Sequence, residues 1–144
     1  MEICMDPQKI KRVYSAVGVY RDQKQLFITF RDNLLRIIKD IEFIHNIDPL
    51  NDEYIDFTFL DEHYRIEFCP TRRADAENAN LSFQKIIPER KKSKAEYLEY
   101  FKISYDKNGI LYNDNDEEKP LNMNEKEDVR EVMINWLYLI VLSG

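Results

Sequence analysis

The hydrophobic residues of this chain change their spacing near residue 50, and that change sets the class of fold. Before it, apolar or stem-bearing residues recur at 10, 13, 17, 20, 24 and 27, then at 30, 34, 37, 41 and 44, the three-four spacing that lays one face of an α-helix against a core. After it, Ile55, Phe57 and Phe59 alternate with Asp56 and Thr58, and Tyr64, Ile66 and Phe68 alternate with Arg65 and Glu67. Alternation of this kind belongs to half-buried strands. A chain that is helical first and strand-rich afterwards builds an α+β domain.

Boundary signals refine the pattern. Asp6-Pro7 starts a helix, because Asp caps free N–H groups and Pro is tolerated where no N–H bond is needed. Gly18 weakens its middle, the step from Phe27 to Phe30 is a three-three slip, and "VGVYRDQKQLFITF" reads alternatively as two short strands around "RDQKQ". The segment "NLLRIIKDIEFIHNI" is the clearest helix and ends at Asp48-Pro49, which places the helical region at 1–47. Two strands follow, joined near "LDEH"; "LSFQKII" gives a third before Pro88, and "EYLEYFKISYDKNGILYND" gives a hairpin whose "DKNG" accepts positive φ. The expected sheet is antiparallel, of about five strands, over 53–113. A C-terminal helix over 124–142 opens on Asn124 as N-cap with Glu127 three residues on, and its stripe of Val129, Val132, Met133, Trp136, Leu137 and Ile140 packs on the sheet. One domain of 144 residues buries roughly 68–70% of its unfolded surface, enough for its own core.

The formal charge of −6, from 27 acids and 21 bases, disfavours attraction of the whole surface to nucleic acid or an anionic membrane. Cys4 and Cys69 make no disulfide framework. The opening "MEICMDPQKIKR" lacks the apolar core of a signal peptide, and "WLYLIVLSG" is far shorter than the ~20 residues of a membrane span. An acidic cytoplasmic protein without a membrane partner is expected.

The polar face of the first hairpin carries Asp56, Thr58, Arg65 and Glu67. Two carboxylates there suit metal or acid–base work, but a cross-strand charge ladder is the preferred reading, since acid–base work needs a cleft. "ERK" at Glu89 to Lys91 matches the short half of a metal-dependent nuclease pattern, with Asp56 or Asp61 upstream, and lacks the strand context it requires. His45 and His63 are separated by a helix end and a hairpin turn, and no ligand set accompanies them. Cys69 is a nucleophile only with a histidine base in reach. Asp114, Asp116, Glu117 and Glu118 lack the glycine and the bidentate Glu of a calcium loop. No Gly-rich phosphate loop occurs. Neither a catalytic residue, a metal nor a cofactor is expected.

Two binding surfaces remain. Phe27, Phe30, Leu34, Ile37 and Ile41 form a helical seam, and a continuous helix of about 38 residues would extend about 57 Å, beyond a domain of this size, so part of it should meet a partner. The expected function is a non-enzymatic protein–protein interaction module of adaptor, immunity or inhibitor type, such as phages and other mobile elements carry, forming a homodimer through this helix. The alternative is a nucleic-acid- or anion-binding regulator. It would use the basic loops at Arg72, Arg73, Arg90, Lys91, Lys92 and Lys94, with Tyr97 and Tyr100 stacking on bases. A metal-dependent hydrolase built on Asp56, Glu67 or Glu89 is the third reading.

Overall fold

Helix α1 (Pro7–Ile38) runs without interruption through Gly18, so the hairpin alternative for residues 17–30 is not the one the chain adopts. Asp6 caps it, its carboxylate accepting from Gln8 N–H at 2.9 Å. The computed structural model describes residues 6–42, 44–45, 51–71, 78–87, 96–112 and 120–143. Seven strands follow α1: β1 (Ile44–His45), β2 (Tyr54–Phe59), β3 (Glu62–Cys69), β4 (Ala79–Ile87), β5 (Glu96–Tyr105), β6 (Ile110–Tyr112) and β7 (Leu121–Asn122), before α2 (Lys126–Ser143). They form one antiparallel meander in chain order.

The α+β class and the order of helix, sheet and helix hold, while three boundaries move. The helix stops at Ile38 rather than running to 47: Asp40 and Ile41 N–H bond the carbonyls of Ile37 and Ile38, and such i to i−3 bonds tighten and close a last turn. Ile44 then becomes an edge strand, buried opposite Phe59. Among the described residues the sheet has seven strands rather than about five and extends from 44 to 122, because β1 and β7 are two residues long and show no alternation to read. Each covers an edge that β2 or β6 would otherwise expose. Finally, the first bond of α2 runs from Val129 N–H to the Glu125 carbonyl, so Glu125 and not Asn124 sits at the cap position; the Asn124 amide donates instead to the Asn108 carbonyl.

Both helices cover the same face of the sheet. Trp136 of α2 meets Phe57, Tyr64 and Phe83 edge-on, with ring centres 5.0 to 5.8 Å away, and Phe27 of α1 stacks on Phe68 at 5.4 Å. All six stripe residues of α2 are buried. A register shift at Phe83/Gln84 inserts an extra residue in β5, and a bulge of this kind turns consecutive side chains to one face. Tyr100, near Trp136, and Phe101, stacked on Phe83, therefore both join the helix side.

The β5–β6 turn is built on Asp106 and Gly109. Burial pushes the Asp106 carboxyl up, but the N–H groups of Ile110 and Asn108 and the Tyr112 hydroxyl outweigh this and hold it below its ordinary 3.8. A carboxylate held low stabilises the fold above its ordinary value and loses that contribution as pH falls through the lowered one. Asp106→Asn should therefore reduce stability at neutral pH and flatten the acid dependence below about pH 4, measured as urea midpoints across that range. Gly109 sits at φ +78°, where an added Cβ would lie 2.8 Å from the Asn124 amide, whereas one at Gly18 would meet nothing within 4 Å. Urea unfolding should show Gly18→Ala stabilising by about 0.5–1 kcal/mol and Gly109→Ala destabilising by at least about 1 kcal/mol.

Candidate functional site

On the face without helices, cross-strand register aligns Asp56, Arg65, Gln84 and Glu99 in one row and Tyr54, Glu67, Ser82 and Lys102 in the next. The Arg65 guanidinium grips both oxygens of Asp56, at 2.6 and 2.9 Å, donates to the Tyr97 hydroxyl at 3.0 Å, and lies 3.8 Å over the Tyr54 ring. The bonded Asp56 carboxylate raises Arg65 above its ordinary value. Gln84 donates to Glu67 and to Ser82, and the Ser82 hydroxyl donates to Glu99 at 2.6 Å. Asp56, Glu67 and Glu99 are thus each engaged by a donor of this chain, which makes the rows a bonded ladder. Among the described residues no three of His, Cys, Asp or Glu gather where they could hold a metal ion.

Register also brings the two histidines into one row, His45 and His63 flanking Thr58 from β1 and β3. Sequence separation conceals this, since Ile44 continues the helical spacing of α1. Both are exposed, and His63 Nδ1 lies 3.4 Å from the Thr58 hydroxyl. Cys69 lines a cleft of about 450 Å³ with Tyr20, Glu53, Tyr54, Arg65 and Glu67. Burial, aided by Glu67, pushes its thiol up, and no histidine lines the cleft to act as its base.

The seam residues face inward. Phe27, Phe30, Leu34 and Ile37 are at most 2% exposed within this chain, and Ile41 packs half-buried against the same core. Arg72, Arg73, Arg90, Lys91, Lys92 and Lys94 lie outside the described residues, as do Glu89 and the acids at 114, 116, 117 and 118. Tyr97 and Tyr100 stand on opposite faces of the sheet, one at Arg65 and the other near Trp136, so they do not form one stacking platform.

What the helical pattern concealed is a second stripe on α1. Over its first 13 residues, Pro7 to Val19, no residue is buried, which leaves about 20 Å of helix overhanging the body. Ile10, Val13, Tyr14 and Val17 line this overhang, with Val13 62%, Tyr14 73% and Val17 45% exposed. At about 100° per residue they point roughly 130° around the axis from the buried stripe. The signal was the three-three slip at Phe27, where the pattern leaves one stripe for the other. Apart from the bonds to its Asp6 cap, hydrogen bonds and ion pairs from α1 to the rest of the described chain all fall at Gln23 or later.

A second unfilled surface lies where α2 ends over the sheet. Leu60, Glu62, Tyr64, Lys85, Leu98, Tyr100, Ile140, Val141 and Ser143 line a cleft of about 600 Å³. Burial, with Tyr100 and Glu62 adding to it, pushes the Tyr64 hydroxyl up to about 12, so it is a neutral donor at physiological pH. Tyr138, Val141 and Leu142 extend the apolar surface onto the outer side of α2.

Comparison with protein families, with curated proteins and with solved structures finds no match to this chain. No helix of the described residues is long and apolar enough to cross a membrane. The ladder makes its own prediction: in a double-mutant cycle of Asp56→Asn and Arg65→Met, read by urea unfolding, the pair should couple by about 1–2 kcal/mol, while Arg65→Met alone should leave the helix content measured by circular dichroism unchanged.

Proposed function

We propose that this protein is a cytoplasmic, non-enzymatic protein-interaction module that presents the overhang of α1 as a docking helix. One observation carries the reading: Ile10, Val13, Tyr14 and Val17 occupy positions i, i+3, i+4 and i+7 of a helix, with Val13, Tyr14 and Val17 exposed and Ile10 half-buried beside them. That is the anchor pattern of a helix laid into an apolar groove of another protein. The arrangement also lowers the cost of binding. Because the overhang continues a helix pinned from Gln23 onward by Thr71, Tyr105, Met123 and Asn51, it is offered already folded, and a rigid ligand loses less conformational freedom on binding. Tyr14 is the natural anchor, since a tyrosine contributes a large contact area with few rotatable bonds.

A photoreactive phenylalanine analogue in place of Tyr14 tests this in the native cell. The expected result is one dominant protein adduct at position 14, lost when Val13→Glu is added, and absent when the analogue replaces Gln8, which points to the other side of the helix. Equal adducts at positions 14 and 8, or none at either, would sink the reading.

A further inference from the structure

We propose that copies of this protein associate head to tail, the α1 overhang of one seated in the cleft at the end of α2 of the next. This rests on the docking-helix reading and names a second copy of the chain as the partner. The two surfaces belong to opposite ends of the molecule. Tyr20, where the overhang leaves the body, sits against Phe68 near the last residue of β3, while Glu62 and Tyr64 of the cleft lie at its beginning. A copy cannot fill its own cleft, and each copy carries one ligand and one receptor.

Charge favours this pairing over a symmetric one. From Asp6 to Lys24 the chain holds five bases, Lys9, Lys11, Arg12, Arg21 and Lys24, against two acids, Asp6 and Asp22. That is a net +3 in a chain of −6, which leaves −9 for the remainder. Two overhangs packed together would set base against base. At the cleft end Glu62 is ion-paired with Lys85 at 3.8 Å, so the negative field comes from exposed Asp61 in the adjoining turn and from the end of α2, which has no base in its last turn to offset the helix dipole.

The turn at the cleft mouth is shaped for display. Leu60 and Asp61 occupy the two turn positions between β2 and β3 at φ +49° and +65°, where Asn and Gly are the usual choices. A leucine held there, 53% exposed, costs folding stability and extends an apolar side chain over the cleft, with Leu98 across from it. Strained residues of this kind persist where their placement serves a function. The contact is heterologous, so it closes into a ring or continues as a chain, and its small area places it among weak associations.

Light scattering on the full chain from about 1 µM to about 1 mM decides the matter. Wild type should grow beyond the monomer with a midpoint of about 10–100 µM, weakened by salt. Val13→Glu and Leu98→Glu, both at exposed positions, should each weaken association at least about tenfold without loss of helix content. Mixed one to one, these two variants should regain association and stop at a dimer, since one keeps its cleft and the other its overhang. Leu60→Asn should weaken association while raising the urea midpoint, which separates lost docking from lost folding. Association that survives Val13→Glu, or a mixture that stays monomeric while wild type associates, would overturn the head-to-tail pairing in favour of a symmetric contact. A wild type that is monomeric throughout overturns it as well, while a position-14 cross-link to a different protein would keep the docking helix; failure of that cross-link too removes both.

Discussion

The structure depends on one indole. Trp136 is fully buried with Phe57, Tyr64, Phe83 and Tyr100 around it, and these rings come from four different strands. Perpendicular aromatic contacts add to the area each ring buries, so a single side chain on α2 fixes the helix over β2 to β5 together. Among the described residues its Nε1–H has no hydrogen-bond partner, so the anchorage these residues supply is ring packing. The bulge between Phe83 and Gln84 belongs to the same device, because only with the extra residue can both Tyr100 and Phe101 reach this face.

With one face of the sheet given to both helices, the other has to keep itself satisfied without a covering layer. It does so by cross-strand bonding rather than by exposure: Ser82 is completely buried and Gln84 nearly so, yet both are held by Glu67 or Glu99. Among the described residues Gln84 Oε1 has no partner. Arg65 occupies the centre because its planar guanidinium can serve Asp56 in two bonds and still meet Tyr54 and Tyr97, which a lysine could not do.

How much of this was legible from the sequence follows from what each pattern encodes. Period two in Tyr54–Phe59 and Glu62–Cys69 reports burial on one face, and the hairpin and its polar face could be read from it. The "DKNG" turn was equally plain, since Gly109 does adopt positive φ. Ile44 was not, because an isoleucine satisfies a helical stripe and an edge strand alike, and only the competing bonds at Asp40 and Ile41 decide between them. The stripe on α1 was misjudged for a geometric reason. Three-four spacing drifts about 20° per heptad around a straight helix, so Ile10 and Val17 continue the pattern of Phe27 while pointing about 80–100° away from it.

That drift has a physical consequence for the chain. A 32-residue helix is about 48 Å long, while the ten residues of β5, the longest strand, span about 33 Å. A helix anchored from Gln23 to Ile38 must then leave part of its length beyond the sheet. Nothing in packing requires that part to exist, or to be apolar along one line. Three exposed apolar side chains, with half-buried Ile10 in register beside them, lie on an otherwise basic segment, and apolar surface grouped in this way favours association over solubility. On the proposed docking reading, the length of α1 serves the contacts the molecule makes rather than the core it builds.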